Sequence, residues 1–79
     1  MKKDIGKEKD EIYMAMAFAL AEKARGRTSP NPMVGALIVK DGRIVGWGWH
    51  DGPGKAHAEM LALDRAGREA EGASMYLTL

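Results

Sequence analysis

Seventy-nine residues make one domain at most, and a chain of this size buries only about 60% of the surface its unfolded form exposes. Twelve Lys and Arg against eleven Asp and Glu leave a net charge of +1, which excludes broad nonspecific binding to nucleic acid, since that needs a clear basic excess. The chain has no cysteine, so a disulfide scaffold, a self-contained Cys-ligated zinc finger and a cysteine nucleophile are excluded too; what stabilises so small a chain then comes from a metal, a partner or further polypeptide.

From Met1 to Glu11 lysines alternate with acidic residues without an apolar run, which is not the pattern of a signal peptide. No stretch approaches the roughly 18 apolar residues of a membrane span. The chain reads as cytoplasmic with no membrane partner, residues 1–9 as a disordered charged tail and residues 10–79 as the folded part. A helix is expected from Asp10 to about Ala24, because Tyr13, Met16, Ala17, Leu20 and Ala24 fall on one face of a 3.6-residue repeat. Asp10 and Glu11 at its start and Lys23 and Arg25 at its end suit the helix dipole, and Gly26 ends it. Met14, Ala15, Phe18 and Ala19 make the opposite face apolar as well, the mark of a helix covered on two sides.

Thr28-Ser29-Pro30-Asn31-Pro32 is a loop stiffened by two prolines. Met33–Lys40 and Arg43–Trp49 read as strands joined by a tight Asp41-Gly42 hairpin turn. After the loop Asp51-Gly52-Pro53-Gly54, residues Ala58–Gly67 form a second helix, with Met60, Ala62, Leu63, Ala66 and Gly67 at helical spacing. Ser74–Leu79 is a third strand. Helix, β-hairpin, helix and strand in this order make an α/β protein, a sheet layered with helices, and an incomplete one, because the last strand has no turn or cap after it.

Three short stretches could carry chemistry. His57-Ala58-Glu59 opens the second helix: an imidazole can ligate zinc, a carboxylate two residues on can move protons beside it, and the positive potential of a helix N-terminus favours a carboxylate there. An ordinary surface histidine followed by a first-turn glutamate gives the same three letters. Asn31, held between prolines, has an amide that can be aimed, or it simply favours the turn. In Gly46-Trp47-Gly48-Trp49-His50, alternation puts Gly46, Gly48 and His50 on one face and Val45, Trp47 and Trp49 on the other. The glycines then clear a strip for close approach by backbone or ligand, with His50 at its end, or they merely weaken a strand whose two tryptophans enter the core. A dinucleotide fingerprint is excluded, since Asp51 stands where its third glycine belongs.

Thr28-Ser29-Pro30-Asn31-Pro32-Met33-Val34-Gly35-Ala36, then Gly46-Trp47-Gly48-Trp49-His50, then His57-Ala58-Glu59, then Gly72–Leu79 occur in the order that marks one family. From about Tyr13 to Leu79 the chain closely resembles the N-terminal deaminase domain of the bifunctional riboflavin-biosynthesis deaminase/reductases, within the zinc cytidine-deaminase-like superfamily. The resemblance implies a cytidine-deaminase-like fold. It implies that His57 is the histidine ligand of a catalytic zinc, that Glu59 is the general acid/base, and that Asn31 and His50 contact a pyrimidine ribotide, diaminohydroxyphosphoribosylaminopyrimidine, which is hydrolytically deaminated. The tRNA adenosine deaminases share the Asn-Pro-x-Val-Gly-Ala and His-Ala-Glu segments but typically carry Asn where this chain has His50, so His50 favours the riboflavin branch.

The family continues with Glu-Pro-Cys and a second Cys, its other two zinc ligands, and this chain has neither. The expectation is a fragment or truncated product, or a chain completed by another, inactive alone, with self-association or a missing C-terminal segment as its partner. Two other readings stand beside it: a non-catalytic remnant that binds a partner, and a fragment of a tRNA adenosine deaminase. The identity of any reductase domain is beyond these residues.

Overall fold

A computed structural model describes residues 5–25, 33–52 and 54–78. The expected Asn31 loop and the Gly26 helix stop lie outside them. In chain order the elements are α1 (Ile5–Glu22), β1 (Gly35–Lys40), β2 (Arg43–Trp49), α2 (Ala58–Ala66) with a short 3-10 turn at Gly67–Ala70, and β3 (Ser74–Leu77). The strands form one antiparallel sheet in the order β2-β1-β3, with α1 packed on one face and α2 on the other.

α1 begins at Ile5, so residues 5–9 are helix where a disordered tail was expected. Glu and Lys are good helix formers, and Glu8 in the first turn complements the dipole. The early start is also anchored, because the Tyr76 hydroxyl on β3 donates a 2.5 Å hydrogen bond to Asp10 and the Tyr76 ring packs against that of Tyr13. Ala17, Ala21 and Ala24 are buried on the sheet side, with Tyr13 and Leu20 half-buried beside them. Met16, expected on that face, is 41% exposed. The helix closes two residues early at Glu22, leaving Lys23 and Arg25 in the following turn, where Arg25 pairs with Glu22 at 2.6 Å.

The Asp41-Gly42 turn forms as expected, with φ of 51° and 76°, the doubly positive geometry whose twist matches the flanking strands. Along β1, Ala36 and Ile38 face α2 while Leu37 and Val39 face α1. In the ladder Gly46 lies opposite Ile38 and Ile44 opposite Val39, so Val45 is the extra residue of a β-bulge. The bulge corrects the simple alternation: Val45 packs with the α2-side core, and not on the face of Trp47. Trp47 is 42% exposed, so the two tryptophans do not make a core.

α2 is seated on β2 through small residues. Ala58, Ala62 and Ala66 are its buried stripe; of the residues set at helical spacing by the sequence, Ala62 and Ala66 lie inside and Met60 and Leu63 face out. The reason is distance. A Cβ built on Gly46 would lie 2.2 Å from the Ala62 carbonyl oxygen, and one on Gly48 would lie 2.7 Å from that of Ala58. Only alanine fits under a helix that close to the strand. The strip cleared by the glycines is therefore filled by the backbone of α2.

Both sheet edges are informative. On the β2 side, Arg65 reaches from α2 to donate 2.9 Å to the Trp47 carbonyl, and its guanidinium lies 4.9 Å from the Trp47 ring. On the β3 side no strand pairs with the outer edge among the described residues. β3 ends at Leu77, and buried Thr78 then clasps the start of β1: its N–H donates to the Gly35 carbonyl at 3.0 Å and its Oγ1 accepts from the Gly35 N–H at 2.9 Å.

Candidate active site

The end of β2 and the start of α2 bring three of the four expected site residues together. His50 follows directly on β2, where its N–H donates to the Val34 carbonyl at 3.0 Å. His57 is the N-cap of α2, in extended geometry (φ −70°, ψ 152°), and its carbonyl accepts the first helical hydrogen bond from Leu61 at 3.2 Å. Glu59 stands in the first turn with an oxygen 4.0 Å from His57 Nδ1, too long for a hydrogen bond but close enough for direct electrostatic interaction. The His57 side chain is 79% exposed and that of Glu59 37%, so both can receive a group from outside the chain. The fourth residue, Asn31, lies outside the described residues.

His50 and His57 face each other, ring centroids 5.5 Å apart and planes inclined by 17°. His50 Nδ1 lies 3.2 Å from the Ala56 carbonyl. A carbonyl only accepts, so Nδ1 carries the proton and a neutral His50 keeps Nε2 as its acceptor. Sequence reasoning found both histidines but not Ala56, whose part is played by backbone and leaves no trace in residue type. An apolar groove of about 390 Å³ between α1 and β2, lined by Met16, Leu20, Leu37, Ile44 and Trp47 among others, is on the α1 face and includes none of the three site residues.

A catalytic zinc takes three protein ligands and leaves a position for water. Among the described residues no three His, Asp or Glu side chains converge to hold a metal, and the chain has no cysteine. His57 fits the chemistry of one ligand, but the set is incomplete among these residues, and they do not hold a catalytic zinc by themselves.

A three-stranded antiparallel sheet between two helices, with His-x-Glu at the start of the second, defines a class. Residues 7–79 match the family model described as the cytidine and deoxycytidylate deaminase zinc-binding region, and the chain belongs to that family. Within it the chain is similar to the riboflavin biosynthesis protein RibD of Aquifex aeolicus, 53% identical over 73 residues, which are 92% of this chain and 20% of that protein. It is 48% identical over 71 residues to the diaminohydroxyphosphoribosylamino-pyrimidine deaminase of Buchnera aphidicola subsp. Schizaphis graminum, covering 90% of this chain and 48% of that one. The solved structure of Acinetobacter baumannii RibD superposes with a TM-score of 0.88 at 44% identity, over 90% of this chain and 20% of that chain, so the expected cytidine-deaminase-like fold is the one found. The chain spans about a fifth of the length of the Aquifex protein. No described helix is long and apolar enough to cross a membrane.

Proposed function

We propose that this chain carries the histidine-and-glutamate part of a zinc-dependent deaminase acting on diaminohydroxyphosphoribosylaminopyrimidine in riboflavin biosynthesis. The observation that carries the reading is the pairing of His57 and Glu59 at 4.0 Å on the N-terminus of α2, in a chain about half identical to riboflavin biosynthesis proteins. In this reading His57 is one zinc ligand, the other two come from outside these 79 residues, and the chain alone is inactive. Glu59 accepts a proton from the water that adds to the amine-bearing ring carbon and returns it to the departing nitrogen. Water and amine thereby become ring carbonyl and ammonia. Asn31 and His50 hold the ribotide. The riboflavin relatives also support this substrate over an adenosine in tRNA.

The test is a chimera in which residues 7–78 replace the aligned segment of the Aquifex protein, assayed for ammonia release with parallel zinc analysis. The chimera should deaminate. Glu59→Gln should abolish turnover while zinc stays, because the amide keeps the size but cannot take the proton. His57→Ala should lose both. Asn31→Ala and His50→Ala should keep zinc and fall roughly ten- to a hundredfold, the loss of a hydrogen bond to a charged substrate group. Near-normal turnover in Glu59→Gln would overturn the mechanism and leave the partner-binding remnant as the better reading.

A further inference from the structure

We infer that His50 is a positioning residue for His57, acting within the protein itself and not only toward a ligand. The inference rests on the deaminase reading for what His57 is for, but its geometry stands apart from it. α2 has no side-chain cap of its own: His57, at the N-cap, makes no capping hydrogen bond through its ring. The start of the helix is therefore held from elsewhere. One hold is the close seat of Ala58 on Gly48, which fixes how near α2 lies to β2. It leaves free the direction in which the residues just before the helix enter it.

His50 supplies that second hold. Its backbone is tied into the sheet through Val34, while its Nδ1–H reaches across to the Ala56 carbonyl, the residue immediately before His57. The peptide linking Ala56 to His57 is thereby pinned to the end of β2. The same ring lies along that of His57, 5.5 Å away and nearly parallel, and limits the rotations open to it. Pin and stack use different properties of one side chain, a donor at Nδ1 and a flat face. The pin also fixes the tautomer, leaving Nε2 to accept from an N–H donor such as an amino group on a heterocycle.

The two properties can be removed separately. His50→Asn keeps a donor near the Nδ1 position and loses the ring, whereas His50→Phe keeps a ring and loses the donor. In the 79-residue chain, long-range proton–nitrogen NMR should show His50 protonated at Nδ1 and a ring-to-ring proton contact between His50 and His57. His50→Asn should retain the slow amide exchange of Leu61 in the first turn of α2 and lose the ring-current displacement of the His57 protons. His50→Phe should do the reverse, with Leu61 exchange faster by roughly two- to tenfold, as loss of one hydrogen bond requires. A wild-type spectrum with the proton on Nε2, or with no His50–His57 ring contact, overturns the inference without any variant. So does a His50→Asn and His50→Phe pair that behave alike. None of these readouts involves metal or turnover, so the deaminase reading can fail while this one stands, and the reverse.

Discussion

Replacing Gly46 with alanine tests the idea that α2, and the site at its start, are located by contact between backbone atoms. The new Cβ would sit 2.2 Å from the Ala62 carbonyl oxygen and 3.0 Å from the Ala66 Cβ, where ordinary contact begins at 3.4 Å. The shortfall against Ala62 is over an ångström, and the atom in the way is backbone, so no side-chain rotation relieves it. Overpacking of this kind costs about 1–3 kcal/mol, and a backbone clash belongs at the top of that range. Alanine also stiffens the unfolded chain, which returns about 0.4–1 kcal/mol. The net is a loss of ~2 kcal/mol, or about thirtyfold in the folding equilibrium, out of roughly 4–12 kcal/mol expected for a chain this long. Urea unfolding followed by tryptophan fluorescence reads it: with a slope of about 1 kcal/mol per molar, the midpoint should fall by about 2 M. The double variant Gly46→Ala/Ala66→Gly should recover little, because the nearer obstacle remains. A Gly46→Ala midpoint equal to wild type, or full rescue by Ala66→Gly, would show that α2 is not seated as described.

Three further outcomes are expected. After exhaustive dialysis the purified chain should hold well under one equivalent of zinc, since His57 brings no second and third ligand with it among the described residues; stoichiometric zinc by metal analysis would refute the ligand count. The Tyr76 hydroxyl is pushed up from 10.0 to about 12, first by its hydrogen bond to Asp10, then by burial and by the charge of Asp10. Its proton is thus held more tightly in the folded chain, so this contribution to stability is complete below pH 10 and disappears as pH rises toward 12, and Tyr76→Phe should flatten that part of the melting-temperature profile; an unchanged alkaline decline would place its cause elsewhere. Arg65→Ala, which uncovers the Trp47 carbonyl on the outer edge of β2, should raise turbidity on standing at high concentration, and equal clarity of variant and parent would deny Arg65 that protective role.

The sequence was most readable where local chemistry decides the backbone. Asp41-Gly42 announces a turn with two positive φ values, and the hairpin follows from it. His57 and Glu59 were readable as a pair because two residues at a helix start cannot be far apart. The second helix was legible in part, because its periodic set held Ala62 and Ala66, which are buried, together with Met60 and Leu63, which point out, and periodicity does not say which of them face the sheet. The signal was in two places at once: glycines two apart in β2 and alanines four apart in α2, each uninformative until laid against the other. Val45 was misplaced because nothing in residue type marks a bulge, and the early start of α1 depends on an Asp10–Tyr76 bond across 66 positions of sequence. The pin from His50 ends on a carbonyl, which every residue possesses.

β2 and β3 are both outer strands of the sheet, and they differ in what a newly added strand must displace. On the β2 side the Trp47 carbonyl is already taken by Arg65, so a strand that pairs there must first break that hydrogen bond and lift the guanidinium off the Trp47 ring. A strand that pairs beside β3 leaves the Arg65 contact intact. The difference is one charge-assisted hydrogen bond, enough to bias growth toward β3 without closing the other edge. A sheet that grows past β3 extends away from β2, so that α2 and the His57–Glu59 pair stay on the side of the sheet where they already lie.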